Sequence, residues 1–338
     1  MDELQLRPAL ITLRSARIER WPLAGTFRIS RGAKTEAAVV VVQLSRGSSL
    51  GRGEATPYAR YGETADRVLA DIRRAARSLP AHPKDARRAL MLRLAPGAAR
   101  NALDCALWDL EAKLTGRHCW QLAALPSPAA AVTCYTLSLD TPEAMAAAAR
   151  AHAHLPVLKL KLGADGDDER MCAVREARPD ARIVIDANEG WKPATLSALI
   201  ETAAKCGVEL IEQPLPANDD AVLADADWPV CLCADESAAP GIPLAALANR
   251  YGAINVKLDK AGGLTSAIQL VAEARSRGLD VMLGSMVATS LAMAPAMLLA
   301  SQVRWVDLDS PLLLARDRPN GLAVHEGTLS PPTPALWG

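Results

Sequence analysis

From residue 132 onward, short apolar runs alternate with stretches whose pattern is helical. Each run holds four or five mostly apolar residues and closes on a polar one, as V-L-K-L-K does at 157–161. From the second run onward, the closing residues recur every 22 to 28 residues, which is the length of one βα unit. Eight such units in series predict an α/β protein with a (β/α)8 TIM barrel. The predicted strands are residues 132–136, 157–161, 183–186, 209–212, 231–235, 254–257, 281–285 and 305–309.

The first third of the chain has a different order, with strand patterns first and helical patterns after them. Loose alternation over Ala9–Glu19, a valine-rich run over Ala37–Leu44 and a short strand ending at Glu54 predict an antiparallel sheet. Apolar residues spaced by threes and fours then predict helices between Thr64 and Gly116, with Gly116 as a C-cap. We interpret residues 1–125 as an α+β capping domain, 126–310 as the barrel, and 311–338 as a tail that returns to the capping domain.

The barrel is a modified one in this interpretation, because residues 132–310 are fewer than the roughly 250 that such barrels usually contain. Either its helices are short or its last unit is incomplete. An open doubly wound sheet is the main alternative. That fold usually carries a glycine-rich phosphate loop after a strand, and the sequence contains neither G-x-G-x-x-G nor G-x-x-x-x-G-K.

Composition narrows the class of protein. The chain has 338 residues, half of them apolar, and a formal net charge of zero, so nothing indicates nucleic acid or an anionic membrane as a partner. We find no signal peptide and no apolar run of membrane-spanning length, and we expect a cytoplasmic protein. Seven cysteines without a C-x-x-C spacing predict small buried side chains rather than disulfides or a zinc site. The sequence leaves the oligomeric state open, a homo-oligomer included.

Charged residues gather where the predicted strands end, on the face of a barrel where functional residues usually lie. Three successive strands close on Asp186, Glu212 and Asp235, and strands closing on lysine flank them. A single strand-end aspartate can simply cap the next helix, but three in consecutive units converge on one point. Their mutual repulsion calls for a cation, and hard oxygen ligands with open positions suit Mg²⁺.

The lysines at the strand ends suggest proton transfer. Lys159 and Lys161 lie on one face of their strand, because side chains in a strand alternate. A solvent-facing edge strand would explain an isolated K-x-K, but the chain has only nine lysines against 29 arginines, and two of the nine are here. In barrel order, Lys161 precedes the three carboxylates and Lys257 follows them. We therefore expect Lys161 and Lys257 on opposite sides of a bound substrate, an arrangement that permits stereochemical inversion.

These motifs resemble those of the enolase superfamily, and the resemblance covers nearly the whole chain. Within the superfamily, the most similar group is the dipeptide epimerases of the muconate-lactonising-enzyme subgroup. The motifs are K-L-K (159–161), D-A-N (186–188), E-Q-P (212–214), A-D-E-S (234–237), V-K-L-D-K-A-G-G (256–263) and D-L-D (307–309), with further likeness at 20–32, 56–63 and 98–110.

The resemblance implies roles for the strand-end residues. Lys161 and Lys257 would be the acid/base pair of a 1,1-proton transfer, and Lys159 would support the enolate oxygen. Sites of the enolase superfamily in general combine a lysine or histidine base with Mg²⁺. Removing a proton beside a carboxylate is prohibitive in water because the product is a dianion, which metal and ammonium together neutralise. The implied ligands of one Mg²⁺ per subunit are Asp186, Glu212 and Asp235.

The resemblance also implies contacts to a small dipeptide. The D-x-D of Asp307 and Asp309 would bind the α-ammonium group of the peptide. Between the first two strands, residues 21–32 are interpreted as a loop, from which Arg31 and Arg28 would reach a Glu side-chain carboxylate with a bidentate fork. A surface role is the alternative for Arg28. Further polar contacts are predicted from Thr136 and Ser285.

The function expected from the sequence is a Mg²⁺-dependent dipeptide epimerase. It would invert the α-carbon of the C-terminal residue of L-Ala-D/L-Glu, a peptide of murein recycling. The alternatives are a dipeptide epimerase of other side-chain specificity, an N-acylamino acid racemase, an o-succinylbenzoate synthase or a muconate-type cycloisomerase. A catalytically silent binding protein on the same scaffold is the alternative from another class, although no catalytic lysine or ligand is missing.

Overall fold

The computed structural model describes residues 10–338, which form a capping domain and a barrel. The capping domain begins with an antiparallel sheet in the order β1–β2–β3, and four helices follow it. Its strands are β1 (Thr12–Ile29), β2 (Gly32–Arg46) and β3 (Ser49–Ala55). Its helices are α1 (Ala65–Ala75), α2 (Pro83–Arg93), α3 (Ala98–Thr115) and α4 (Cys119–Leu122).

Helix α3 packs directly on strand β3, because two glycines of the strand let the backbones meet. A Cβ atom at Gly51 would lie 2.2 Å from Ala106 O, and one at Gly53 would lie 2.1 Å from Ala102 O. The predicted C-cap of this helix is confirmed, since Gly116 has the left-handed φ of 67° that favours glycine.

The β1–β2 hairpin differs from the sequence prediction, which placed a loop at 21–32. Strand β1 continues to Ile29 and β2 begins at Gly32, so only two residues separate the strands. A register shift between Pro22 and Phe27 interrupts the pairing without ending the strand. Proline and glycine in this stretch break the alternation and hide the strand in the sequence. Ala9, where the first strand was predicted to begin, lies outside the described residues.

The barrel prediction is confirmed. Eight parallel strands, β5 to β12, neighbour one another in sequence order, and a hydrogen bond from Cys134 N to Val306 O (2.8 Å) joins the beginning of the first strand to the last. A short strand β4 (Ala131–Val132) leads into them. The eight strands are β5 (Tyr135–Leu137), β6 (Val157–Lys161), β7 (Arg182–Asp186), β8 (Val208–Glu212), β9 (Cys231–Ala234), β10 (Ala253–Lys257), β11 (Asp280–Gly284) and β12 (Trp305–Val306).

The helices of the barrel explain why it is shorter than usual. After β8 and β9 the chain forms only 3₁₀ turns, at Ala221–Leu223 and Leu244–Ala246. The helices are α5 (Pro142–Ala151), α6 (Asp167–Ala177), α7 (Pro193–Lys205), α8 (Leu258–Ala261), α9 (Leu264–Ser276), α10 (Ser290–Ala296) and α11 (Ser310–Leu313).

The C-terminal tail lies against the capping domain. Trp337 Nε1 donates to Cys105 O of α3 at 3.0 Å, and Gly338 N donates to Asp109 Oδ1 at 2.8 Å. Before that, β13 (Val324–His325) and β14 (Thr328–Leu329) pair with β4 in a small separate sheet. The first predicted strand, 132–136, is therefore divided, because Val132 belongs to this sheet and only the residues from 135 onward belong to the barrel.

The cysteines only partly match the prediction of small buried side chains. The cysteines are free, and five of them are buried, but Cys231 is half-buried and Cys172 is exposed, so the prediction of buried side chains is wrong for Cys172.

Among residues 10–338, no helix combines the length and the apolar character needed to cross a membrane.

Candidate active site

Inside the barrel, a charged layer lies above an apolar one. The apolar layer takes one side chain from each strand or from its immediate neighbour: Cys134, Val157, Val184, Leu210, Cys233, Ala253, Met282 and Trp305. Two residues further along each strand, the alternation of side chains brings the next residue inward. These positions are Thr136, Lys159, Asp186, Glu212, Asp235, Asn255, Gly284 and Asp307. Buried ionisable groups thus meet at the carboxyl ends of the strands, above an apolar floor.

Lys159 joins the carboxylates of three strands. Its Nζ lies 2.6 Å from Glu212 Oε2, 2.6 Å from Asp307 Oδ2 and 3.4 Å from Asp186 Oδ2, and its side chain is only 2 % exposed. Asp186 and Glu212 are paired directly in the β7–β8 register, which brings both to the same height in the barrel. A single buried ammonium group therefore neutralises part of a three-carboxylate cluster.

Three other lysines at the carboxyl end of the barrel donate hydrogen bonds to predicted metal ligands. Lys161 Nζ donates to Asp186 Oδ2 at 2.6 Å, and Lys257 Nζ donates to Asp235 Oδ2 at 2.6 Å. Asp235 also accepts from Lys260 Nζ, at 2.5 Å through Oδ1 and 2.6 Å through its backbone oxygen. Asp235 is consequently fixed from both sides.

Asn255 completes the layer between β8 and β11. Its Nδ2 donates to Glu212 Oε1 at 2.6 Å. The neighbouring position must be glycine, because a Cβ atom at Gly284 would lie 2.4 Å from Asn255 Oδ1. Sequence reasoning missed Asn255 and Lys260 as site residues, although alternation along β10 and the spacing Lys257–Lys260 on a helical turn could have indicated them.

Neighbouring charges shift the pKa values of the three carboxyl groups in different directions. Burial disfavours ionised Asp186 and Asp235, but the ammonium groups beside them outweigh it and hold the pKa of each carboxyl below its ordinary value. For Glu212, burial and the charge of Asp186 raise the pKa to about 7. Of the three, Glu212 therefore gains most from added positive charge.

The chemistry of these residues fits a hard divalent cation. Asp186, Glu212 and Asp235 are all at least 97 % buried. Glu212 Oε2 lies 2.6 Å from the Lys159 ammonium but has no hydrogen bond of good geometry to any of the described residues. Their oxygen ligands suit Mg²⁺. Within residues 10–338, however, no three Asp, Glu, His or Cys side chains surround one common point, because ammonium groups lie between the carboxylates. That the three share one ion stays a prediction.

Lys161 and Lys257 lie on opposite sides of the barrel mouth. They end β6 and β10, which are four strands apart in an eight-stranded barrel. Both line the same cavity of about 280 Å³, which the β1–β2 hairpin covers with Phe27 and Lys34. A group held in this cavity is reachable from two flanks.

The two aspartates of the D-x-D motif are buried but differ in their partners. Asp309 Oδ2 accepts from Thr136 N at 2.6 Å, and burial and the charge of Asp307 raise the pKa of Asp309 to about 7. Asp307 Oδ2 binds Lys159, while Asp307 Oδ1 is buried without a hydrogen-bond partner in the part of the chain that the structure describes. This pair attracts a further cationic group. Ser285 lies near it, with Oγ 3.4 Å from Asp307 O, and it also lines the cavity.

The arginines predicted to bind a substrate carboxylate are already engaged. Arg28 pairs with Asp140 at 3.3 Å on the surface, with both side chains about half exposed. Arg31 pairs with Glu236 at 2.7 Å and with Glu189 at 3.1 Å. Arg31 has both terminal nitrogens in hydrogen bonds, and Arg28 pairs with Asp140 on the surface instead of lining the cavity.

Lys34 is a cavity-lining cation that sequence reasoning missed. Of the four cationic side chains around the cavity, it alone has no carboxylate partner in the described part of the chain. Its Nζ lies 5.3 Å from the centre of the Phe27 ring, and Lys161 Nζ lies 5.8 Å from the same ring. Lys34 is exposed as a whole residue, but its ammonium lies at the cavity, where burial of the charged group and the charge of Lys161 lower the pKa of Lys34 to about 8. No local sequence pattern indicates Lys34, because only the folded hairpin brings it to the cavity.

The fold and the site define an enolase-type isomerase, and comparison with known families agrees. Residues 12–123 match the N-terminal domain of mandelate racemase and muconate-lactonising enzyme, and residues 143–335 match the enolase C-terminal domain-like family. The chain belongs to this family of the enolase superfamily.

Individual relatives narrow the class to racemases and epimerases. The chain is 44 % identical to the L-Ala-D/L-Glu epimerase of Escherichia coli K12 over 92 % of this chain and 97 % of that protein. It is 42 % identical to an N-acetyl-D-glutamate racemase of Pseudoalteromonas sp. over 89 % and 95 %.

Solved structures give the same class. An enolase family member from Agrobacterium tumefaciens, with homology to dipeptide epimerases and with sodium and L-Ala-L-Glu bound, shares 48 % identity and a TM-score of 0.92 over 97 % of this chain and all of that one. A dipeptide epimerase of Methylococcus capsulatus, complexed with Mg and L-Arg-D-Lys, shares 30 % identity and a TM-score of 0.89 over 98 % and 99 %.

Proposed function

We propose that this protein is a dipeptide epimerase that inverts the α-carbon of the C-terminal residue of L-Ala-D/L-Glu. The observation that carries the proposal is the placement of Lys161 and Lys257 on strands four apart around one cavity. One lysine takes the α-proton and the other delivers a proton to the opposite face, so the product has the opposite configuration. Peptide from murein recycling in the cytoplasm is the proposed source of substrate.

The charged layer supports the intermediate of this reaction. Loss of the α-proton places a second negative charge next to the substrate carboxylate. Lys159, buried among carboxylates, is the ammonium proposed to stabilise the enolate oxygen. Mg²⁺, one per subunit, would be held by Asp186, Glu212 and Asp235 and would supply the positive charge that neutralises the substrate carboxylate.

The two ends of the dipeptide are proposed to meet opposite charges. Asp307 and Asp309 receive the α-ammonium group, which the unpartnered Asp307 Oδ1 favours. Lys34 receives the side-chain carboxylate of the second residue, because it is the cavity cation without a carboxylate partner in the described residues. Thr136 orients Asp309 through its backbone N–H, and Ser285 is proposed as a polar contact.

The activity is tested by exchange of the α-proton of L-Ala-L-Glu in D₂O with Mg²⁺, followed by NMR and chiral chromatography. We expect deuterium at the α-carbon of the Glu residue and accumulation of L-Ala-D-Glu. The same assay with N-acetyl-D-glutamate tests the second candidate, which the racemase relative favours. Exchange with the acetylated substrate alone would contradict the dipeptide proposal.

The variant Asp309→Asn separates these two candidates within one protein. A free α-ammonium group needs the carboxylate charge, so we expect kcat/KM for L-Ala-L-Glu to fall about tenfold or more. An acylated amino acid carries no ammonium and would keep its rate. Because Asn retains an oxygen that can accept from Thr136 N, the loop geometry is preserved in the variant.

Replacing Lys34 tests side-chain recognition. In Lys34→Met we expect kcat/KM for L-Ala-L-Glu to fall about ten- to a hundredfold, the range for one charge-assisted hydrogen bond, while L-Ala-L-Gln changes little. Lys34→Arg serves as the control that keeps the charge. Equal losses on both dipeptides would contradict the assignment.

The pH dependence gives a second measure of the same lysine. Protonated Lys34 binds the carboxylate and neutral Lys34 does not, and the pKa of Lys34 is lowered to about 8. The ratio of kcat/KM for the Glu dipeptide to that for the Gln dipeptide should therefore be constant below pH 7 and should fall as the pH rises through about 8. In Lys34→Met the ratio should no longer depend on pH in this range.

A further inference from the structure

Arg31 binds three separate loops at once. Its NH1 donates to Asn188 O at 2.6 Å and to Glu189 Oε2 at 3.1 Å, and its NH2 donates to Tyr58 OH at 3.0 Å and to Glu236 Oε1 at 2.7 Å. These partners come from the loops after β7, β3 and β9. Arg31 itself stands between β1 and β2, at the tip of the hairpin that covers the cavity.

The loops that Arg31 binds also carry the site. Asn188 N donates to Asp186 Oδ1 at 2.9 Å, and Glu236 directly follows Asp235. Asn188 and Glu189 both have positive φ, 47° and 66°, a backbone conformation that costs free energy for residues other than glycine. Surrounding contacts must hold such residues in place, and Arg31 supplies two of them.

The hairpin tip lies in close contact with the barrel loops. A Cβ atom at Gly163, two residues after Lys161, would lie 3.1 Å from Ser30 Cβ and 2.3 Å from Ala187 O. Any side chain at residue 163 would push the tip away. The close approach at Gly163 and the four hydrogen bonds of Arg31 therefore fix the same closed position of the hairpin.

The guanidinium of Arg31 has little left for a substrate. Both of its terminal nitrogens are used twice, and two of the four acceptors are carboxylates that balance its charge. Lys34, three residues further along the same hairpin, has no such partner in the described part of the chain. Within the hairpin, Arg31 therefore holds the closed position, and Lys34 is the residue left to bind the side-chain carboxylate.

We infer that Arg31 is a positioning residue that latches the β1–β2 hairpin over the cavity by joining the loops after β3, β7 and β9, and that it does not bind the substrate side chain. The effect of this latch on turnover rests on the proposed function. The latch itself does not, because its contacts lie within the protein.

The first test measures backbone hydrogen exchange of residues 27–34 in the substrate-free protein. Arg31→Gln removes the charge, and Arg31→Lys keeps the charge but loses the fork, so that a folded variant is available if one of them is unstable. We expect exchange at the hairpin tip to become about tenfold faster or more in both variants, with the rest of the barrel unchanged. Unchanged exchange at the tip in both would overturn the latch.

The second test compares KM and kcat for two dipeptides, L-Ala-L-Glu and L-Ala-L-Gln. Loss of the latch should raise KM for both by about tenfold and leave the ratio of their kcat/KM values within about twofold of that of the unchanged protein. A loss confined to L-Ala-L-Glu would show that Arg31 binds the side chain and would overturn the inference.

Matched variants complete the experiment. Arg20→Gln removes an exposed ion pair with Glu36 that lies within the same hairpin and should change neither exchange nor KM. Tyr58→Phe removes one of the four hydrogen bonds of Arg31 and should give a smaller increase in exchange than Arg31→Gln. If the unchanged protein turns over neither dipeptide, the proposed function fails, while the exchange measurements still decide the latch.

Discussion

Lys161→Ala and Lys257→Ala should each lower the rate of epimerisation by at least about 10³-fold, since inversion needs one lysine on each face of the α-carbon. The two variants should nevertheless differ. Each should still exchange the α-proton of one epimer with D₂O, and the epimer should be the opposite one in the other variant. NMR of L-Ala-L-Glu and L-Ala-D-Glu in D₂O measures both outcomes.

This stereochemical split is the decisive part of the result. Removing Lys161 leaves buried Asp186 with only the more distant Lys159, whereas removing Lys257 leaves Asp235 with Lys260 at 2.5 Å, so a greater loss of stability is expected for Lys161→Ala. Partial unfolding would lower both exchange rates equally. Lys205→Ala, on the exposed end of α7, is the control that should change neither. Exchange of the same epimer by both variants would contradict bases on opposite flanks.

Removal of the divalent cation should lower the rate of epimerisation by about 10²-fold or more, and addition of Mg²⁺ should restore it. The physical reason is the accumulation of negative charge when the α-proton leaves a carbon next to a carboxylate. The measurement is the epimerisation rate after exhaustive chelation and after stepwise addition of MgCl₂. Activity that survives chelation with unchanged kcat would contradict the Mg²⁺ proposal.

A matched pair of variants on one strand locates the cation. Glu212→Gln replaces an inward carboxylate of β8, whereas Glu209→Gln replaces a half-buried one that pairs with Arg182. Cation binding stabilises the folded state, so Mg²⁺ should raise the Tm of the unchanged protein and of Glu209→Gln. In Glu212→Gln this rise should disappear. An equal rise in both variants would place the cation elsewhere.

The barrel and its charged ends could be predicted from the sequence for a simple physical reason. Strands such as Ile183–Ile185 are buried on both faces and read as continuous apolar runs, and the functional residue follows directly in the chain. Period and position together therefore identify Asp186 and its equivalents on the neighbouring strands without any knowledge of tertiary contacts.

The capping domain could be predicted less well. The hairpin was interpreted as a loop because Pro22 and Gly25 interrupt its alternation, although the pairing resumes at Phe27. Lys34 was missed, and Arg31 was assigned to the substrate, because the difference between them is the presence of carboxylate partners far away in the sequence. Glu236 is 205 residues from Arg31, and no local pattern reports such a contact.

The apolar layer beneath the charged one has a consequence for isotope experiments. Eight side chains plug the barrel from below, so solvent cannot reach the lysines by that route. Protons enter and leave through the mouth, where the hairpin lies. With the hairpin in its closed position only 10 % of the Lys161 side chain and 9 % of the Lys257 side chain are exposed, so a proton taken from the substrate exchanges slowly with bulk water and can return to the carbon it left. The rate of deuterium incorporation into the substrate then depends on how often the hairpin opens as well as on the rate of proton abstraction. Epimerisation can therefore be faster than the exchange of the α-proton with solvent.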